Sequence, residues 1–130
     1  MTEPVEPRRM PKQAEELSNV YDLLEEVRLR PGMWVRRCSL QHLDSMLIGY
    51  RVALGIHGNA EPFDFWNPGP FSEWLGRRLE RHSSLGWAAE IEREAEQADR
   101  SAMEMFFELL DEFRADTNQL PDGEEPFTGP

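Results

Sequence analysis

Residues 101–113, SAMEMFFELLDEF, decide the fold of this chain because they carry the clearest periodicity in its sequence. Their large apolar side chains recur at intervals of three and four, the spacing of one face of an α-helix. Ser101 followed by Glu104 matches the capping-box pattern that begins a helix. The apolar face consists of Met103, Phe106, Phe107, Leu110 and Phe113. We expect a terminal helix that buries this face in the core. The alternative, a cofactor-binding face, is not our interpretation.

Earlier segments of the chain show the same helical spacing. The pattern predicts a helix over residues 13–30, which Pro31 and Gly32 end because proline disfavours the helical conformation in the residue before it. A second helix is expected from an N-cap at Ser39 to about residue 56, and a third from Pro70 through residue 79. A weaker pattern runs from residue 85 to 95.

No segment shows the sustained alternation of a β-strand, so the predicted fold class is all-α, with four to five helices around a single core. Residues 1–11 are rich in proline and charge and predict a disordered arm, and residues 117–130 predict a disordered acidic tail. The helical domain is expected over residues 12–116. The loop 57–70 combines turn residues with aromatic residues, so we expect it to pack on the domain.

Composition indicates a small cytoplasmic protein. The 130 residues suffice for one domain, and the single cysteine, Cys38, forms no internal disulfide, which is typical of a reducing compartment. No apolar run approaches the roughly 18 residues of a membrane span. The acidic N-terminus is followed by no apolar segment of the kind that a signal peptide contains.

The sequence offers no clear catalytic or metal-binding group. The histidines at positions 42, 57 and 82 are too far apart in sequence for a typical zinc motif. Cys38 and His42 could meet across one helical turn, as metal ligands or as a nucleophile and its base, but a capping residue and a surface histidine are the more ordinary interpretation. We therefore expect no enzyme activity, no metal and no cofactor.

The acidic residues suggest one possible binding surface. The net charge is −11, and 13 of the 25 acidic residues lie from position 90 onward. An acidic face around Glu90, Glu94 and Asp99, with Trp66 as an aromatic anchor, would attract a basic protein partner. The alternative is that these carboxylates form only a solvated surface.

The arginines suggest a second surface. Residues 28–89 carry eight basic and five acidic residues, so the middle of the chain is mildly basic. Arginine stacks on aromatic rings such as Trp34 and Trp74 and forms paired hydrogen bonds with phosphate. The candidate anion-binding residues are Arg30, Arg36, Arg37, Arg77, Arg78 and Arg81. The alternative is that they pair with the abundant carboxylates, and the net charge makes nucleic acid an unlikely partner.

Two resemblances involve the Arg-Pro-Gly-Met turn. Residues 25–34, EEVRLRPGMW, resemble the start of the ATPase domain of type II topoisomerases such as the gyrase B subunit. That family requires a magnesium-binding Asn helix and an Asp-x-Gly-x-Gly loop. The helix predicted after Ser39 contains no Asn and the loop motif is absent, so we interpret this resemblance as a shared helix-ending turn.

The second resemblance covers residues 20–115. The segments RPGMW (30–34), SLQHL (39–43), GY (49–50), FSEW (71–74) and FFELLDEF (106–113) are similar to a group of small, uncharacterised bacterial helical proteins. The resemblance implies an all-α fold and an immunity-type role. The sequence thus predicts a non-catalytic, cytoplasmic, protein-binding inhibitor that masks a basic toxin or nuclease. The alternative is a regulatory module that binds nucleic acid or phosphate ligands.

Overall fold

The computed structural model describes residues 17–59, 61–81 and 85–117, and in these residues it confirms the all-α fold class. Five helices of ten or more residues pack around one core, and one short helix lies between the first two of them. The helices are α1 (Val20–Leu29), α2 (Pro31–Trp34), α3 (Leu40–Ile56), α4 (Pro70–Leu79), α5 (Trp87–Ala98) and α6 (Ala102–Asp116). The described residues contain no strand.

The helix starts follow the capping rules that the sequence suggested. The side chain of Ser39 accepts a hydrogen bond from the backbone N–H of His42, and Ser101 accepts one from the N–H of Glu104. Pro70 occupies the first position of α4, where its missing N–H costs no intrahelical bond. These caps confirm the predicted starts of α3, α4 and α6.

The predicted start of the first helix is wrong. Residues 17–19 are not helical, and α1 begins at Val20 because Asn19 is its N-cap, with an extended backbone and a side chain that accepts a hydrogen bond from the N–H of Asp22. Residues 13–16 lie outside the described part. The helix ends at Leu29 as expected, but Pro31 then occupies the first position of the short helix α2.

The core is a cluster of aromatic rings with Phe71 at its centre. Phe71 is fully buried, and its ring lies 5.3–6.0 Å, centroid to centroid, from five other rings. These rings belong to Phe65, Trp74, Trp87, Phe106 and Phe113. Every residue of the α6 face predicted from the sequence is buried. The periodicity of residues 101–113 therefore correctly predicted that α6 packs its apolar face into the core.

The loop between α3 and α4 packs on the domain, as expected. Phe63 and Phe65 are buried, and the indole N–H of Trp87 donates a hydrogen bond of 3.2 Å to the carbonyl oxygen of Phe65. Glu61 holds the start of the loop in place through two hydrogen bonds. Its carboxylate accepts one from the N–H of Val20 and one from the hydroxyl of Tyr50. Both bonds are 2.9 Å long, and together they join the loop to α1 and α3.

The predicted arm over residues 1–11 lies outside the described residues, and so does the predicted tail apart from Thr117. Thr117 belongs to the end of α6, because its N–H and its hydroxyl both donate to the carbonyl oxygen of Phe113. The segment 82–84, between the predicted third helix and the weaker pattern that starts at residue 85, also lies outside the described part. Helix α4 ends before it, at Leu79, and the next residue, Glu80, adopts a left-handed conformation.

Candidate functional site

Glu90 is not on an exposed acidic face, and this part of the sequence interpretation is corrected. Its side chain is buried, with 5% of its surface exposed. The guanidinium of Arg81 donates a hydrogen bond of 2.8 Å to one carboxylate oxygen, and Arg93 lies 3.7 Å from the other. A buried carboxylate requires such compensation because removing a charge from water is costly. Glu90 therefore has a structural role: its buried side chain binds the arginine at position 81.

The other residues proposed for the acidic face do not form one continuous surface. Glu94 is half-buried and forms a 2.8 Å ion pair with Arg81, the same arginine that binds Glu90. Asp99 is exposed at the left-handed end of α5. Trp66 is 40% exposed on the loop, with its ring edge-on to Phe63 at 5.0 Å. Only Asp99 and Trp66 remain accessible to a partner.

The acidic outer face of α6 is largely neutralised by arginines of the same chain. Three ion pairs of 2.6–2.8 Å join it to α1, to α4 and to the connection between α5 and α6. They are Arg28 with Asp111, Arg78 with Glu112 and Arg100 with Glu108. The hydrogen bond from Arg100 lowers the pKa of Glu108. With Glu90 and Glu94, five of the 13 acidic residues from position 90 onward therefore form ion pairs within the chain.

The six candidate anion-binding arginines divide into two sets. Arg78 and Arg81 are bound to carboxylates, as the alternative interpretation of the arginines predicted. Within the described ranges the remaining four form no ion pair, and all four are exposed. They are Arg30, Arg36, Arg37 and Arg77. Three of them lie within eight residues of one another, between α1 and α3.

These three arginines lie on a short surface segment together with exposed apolar side chains. We call this segment the arginine turn and define it as Leu29, Arg30, Met33, Arg36 and Arg37. Met33 is 71% exposed and Leu29 is 41% exposed. Residues 29–37 contain no acidic residue. The surface is therefore both apolar and cationic in a chain whose net charge is strongly negative.

Packing and backbone hydrogen bonds hold the arginine turn in place. Val35 is buried and anchors the segment in the core, and its N–H donates a 2.9 Å hydrogen bond to the carbonyl oxygen of Pro31. A 3₁₀ turn follows, Arg36–Cys38, in which Arg37 and Cys38 have φ angles of 58° and 52°. Two successive non-glycine residues in this region cost about 1–2 kcal/mol each. The fold tolerates that strain, and the two arginines of this turn, Arg36 and Arg37, are exposed to solvent.

Cys38 and His42 do not form a recognisable reactive pair. Both side chains are exposed, and within the described part of the chain no hydrogen bond joins them. No group of three or more potential metal ligands occurs in the residues that the structure describes. His82 lies outside those residues, and His57 is exposed at the end of α3.

A cleft of about 760 Å³ lies between the loop and helices α4 and α5. Pro68, Leu75 and Trp87 contribute its apolar wall, and Arg81 and Glu90 line it as well. Since these two charged residues already bind each other, they are committed to the fold. The pair of Arg81 and Glu90 thus has a structural role, whereas Glu73 and Arg77, which also line the cleft, are exposed.

The exposure of Met33 and Leu29 was not anticipated from the sequence. Met33 lies in the apolar run Met33–Val35, which is too short to predict an element, and Leu29 has the residue type of a core position. The available signal was the proline at position 31, which ends α1 shortly after Leu29 and begins a helix of only four residues that contains Met33. The arginine turn is the described surface whose composition best fits a binding site.

The chain matches no protein-family model, no curated protein and no solved structure. Among the helices of the described ranges, none has both the length and the apolar character that a membrane span requires. The geometry of the arginine turn is therefore the basis for a functional proposal.

Proposed function

We propose that this chain is a non-catalytic protein-binding protein that receives an acidic segment of another protein on the arginine turn. The observation that carries the proposal is the 71% exposure of Met33 within the same nine residues, 29–37, as three exposed arginines that form no ion pair in the described ranges. Methionine and arginine are enriched in protein interfaces. A partner that brings carboxylates and an apolar side chain would match this surface.

A protein fits this surface better than a nucleic acid does. Leu29 and Met33 offer apolar area that a phosphate backbone cannot use, while an amphipathic acidic segment can bury it. The net charge of −11 also repels a long polyanion more strongly than it repels one short acidic segment. Binding of nucleic acid or phosphate through the same arginines is the alternative function that the experiment below tests.

The finer hypothesis is an immunity-type inhibitor that masks a toxin or nuclease in the cytoplasm. It is supported by the resemblance of residues 20–115 and by the net charge. A basic toxin would then contact the accessible members of the acidic surface, Asp99 and Trp66. In that case Asp99→Lys weakens capture of a basic protein, while a substitution in the arginine turn leaves it unchanged.

The test is affinity capture from the native lysate with matched variants as bait. Arg36→Glu and Arg77→Glu each reverse one exposed arginine without an ion pair, so they change the net charge equally and differ in position. Met33→Ser removes the apolar contribution. We expect the wild type and Arg77→Glu to recover one protein stoichiometrically, and Arg36→Glu and Met33→Ser to recover about tenfold less.

Two results contradict the proposal. Equal recovery of the partner by Arg36→Glu and Arg77→Glu would show that the arginine turn is not the contact. Recovery of nucleic acid by the wild type, with its loss in Arg36→Glu, would instead assign the arginine turn to the alternative function. Circular dichroism of each bait confirms that the variant is folded.

A further inference from the structure

The cleft between the α3–α4 loop and helices α4 and α5 has the size and the apolar wall of a small-molecule site. Its volume of about 760 Å³ lies within the roughly 300–1,000 Å³ of typical ligand pockets. Leu75 and Trp87 line it and also belong to the hydrophobic core, and the Trp87 ring stacks on Phe106 at 5.1 Å, centroid to centroid. Pro68 and Leu79 add apolar surface. An apolar group in the cleft would therefore contact side chains that the core holds in place.

Asn67 fixes the shape of the cleft by joining the loop to both helices. Its amide oxygen accepts one hydrogen bond from the hydroxyl of Ser72 on α4 and one from the N–H of Trp87 at the start of α5. Gly86 also lines the cleft, with a φ of 96°, and a Cβ on it would lie 3.3 Å from the side chain of Asn67. Glycine at this position therefore permits the close approach of Asn67. Since these contacts lie within the chain, the cleft is preformed.

Two acids and two arginines are the charged residues among the described lining of the cleft, so their charges balance. Arg81 and Glu90 bind each other at 2.8 Å. Glu73 and Arg77 are exposed, and neither forms an ion pair within the described ranges. They are four residues apart on α4, a spacing at which side chains are neighbours on a helix surface. The cleft thus offers one anion and one cation, side by side, beside an apolar wall.

A ligand that matches both charges carries a carboxylate next to an ammonium. In a free α-amino acid the two groups are attached to the same carbon atom, so they can reach neighbouring side chains of opposite charge. A simple carboxylic acid would place its charge beside Glu73, and a simple amine would place its charge beside Arg77, so each would meet like charge. A zwitterion has no net charge and is not repelled by a chain of net charge −11. The apolar wall favours a large apolar side chain.

We propose that the cleft binds a free α-amino acid with a large apolar side chain, such as tryptophan or phenylalanine. The ligand carboxylate accepts hydrogen bonds from the guanidinium of Arg77, and the ligand ammonium donates to the carboxylate of Glu73. The ligand side chain lies against Leu75 and Trp87. The inference goes beyond the proposed function, because none of these residues belongs to the arginine turn. The two proposals can fail separately, since the cleft is tested with the purified chain and a defined ligand.

The test is a titration of the isotope-labelled full chain with L-tryptophan, followed by two-dimensional NMR of the backbone amides. Ligands of this size bind with dissociation constants of about 10 µM to about 1 mM, so the titration extends to about 5 mM. We expect saturable shifts of the amides of Gly76 and Gly86, which line the cleft. The amides of Gly49 and Gly55 on α3 should not move. If those of Gly76 and Gly86 stay unchanged up to the highest concentration, the proposal is overturned.

Matched variants test the two charges. Arg77→Gln and Glu73→Gln each remove one exposed charge at the cleft and should weaken tryptophan binding at least about fivefold. Arg36→Gln and Glu96→Gln remove the same charges at exposed positions elsewhere and should leave the affinity unchanged. Wild-type affinity in Arg77→Gln or in Glu73→Gln overturns the assignment of the ligand's charged groups.

Three further ligands test the chemical class. Indole-3-propionate lacks the ammonium and tryptamine lacks the carboxylate, so each should bind at least about fivefold more weakly than tryptophan. The preference for tryptophan over tryptamine should disappear in Arg77→Gln, because the ligand carboxylate has then lost its partner. Serine, a zwitterion without an apolar side chain, should cause no shift. Binding of either indole analogue as tight as that of tryptophan overturns the amino acid as the ligand, and equal binding of serine overturns the role of the apolar wall.

Discussion

Replacing Glu61 by alanine should destabilise the fold by about 2 kcal/mol, because this carboxylate joins three parts of the chain. It accepts a 2.9 Å bond from the N–H of Val20, which has no partner within α1, and a 2.9 Å bond from the hydroxyl of Tyr50. Hydrogen bonds to a charged group contribute about 1.5–3 kcal/mol each. Both bonds are half-buried, so the lower value applies, and water entering the vacated space recovers about 1 kcal/mol of the sum.

Equilibrium unfolding in urea, followed by tryptophan fluorescence, measures this loss. With a slope near 2 kcal/mol per molar, the midpoint of Glu61→Ala should fall by about 1 M. Glu61→Gln keeps one acceptor and gains a donor for the Tyr50 oxygen, so we expect a loss of less than about 1 kcal/mol. Glu96→Ala, at an exposed position, should stay within about 0.5 kcal/mol of the wild type. If Glu61→Ala also stays within that range, the role assigned to this carboxylate is refuted.

Three further predictions concern ionisation, ion pairing and capping. Burial and neighbouring carboxylates raise the pKa of both tyrosines, Tyr21 and Tyr50, so absorbance at 295 nm should show no phenolate at pH 11 in the folded chain. An acid with a raised folded pKa loses its stabilising contribution as pH rises above the unfolded value near 10, so both tyrosines should ionise only together with unfolding. Arg81→Ala should lower the thermal midpoint more than Arg78→Ala, because its carboxylate partner is buried and that of Arg78 is exposed; equal midpoints would contradict this. Ser101→Ala should cost about 1 kcal/mol in urea unfolding through loss of the α6 cap, and Ser101→Gly less than half of that.

Local sequence signals predicted most of the fold, because they depend on neighbours within one helical turn. Ser39, Pro70 and Ser101 begin helices for reasons that four or five residues determine. The apolar spacing of residues 101–113 identified a fully buried face without any knowledge of its partners. The start of α1 was missed because Asn19, a strong N-cap, lies inside a longer apolar pattern.

The candidate site depended on contacts that the sequence does not show. Glu90 has the sequence neighbours of a surface residue on α5, and its hydrogen bond with Arg81, which lies beyond the end of α4, is a contact that the sequence does not show. Glu61 gave no signal at all, since its bond to Val20 spans 41 residues. Arg36 and Arg78 look equivalent in sequence, yet Arg78 binds Glu112 while Arg36 has no ion pair in the described ranges. The presence of an ion pair, rather than residue type or exposure, separates the structural arginines from the binding candidates.

Hydrogen–deuterium exchange of the chain with and without its captured partner tests the arginine turn most directly. We predict that protection on binding is concentrated in residues 29–38, and that it is lost when Arg36→Glu replaces the wild type. Exchange in the exposed end of α5 near Asp99 should change little. Protection confined to α5 and the Trp66 loop, with residues 29–38 unchanged, would contradict the arginine turn as the binding surface and restore the acidic one.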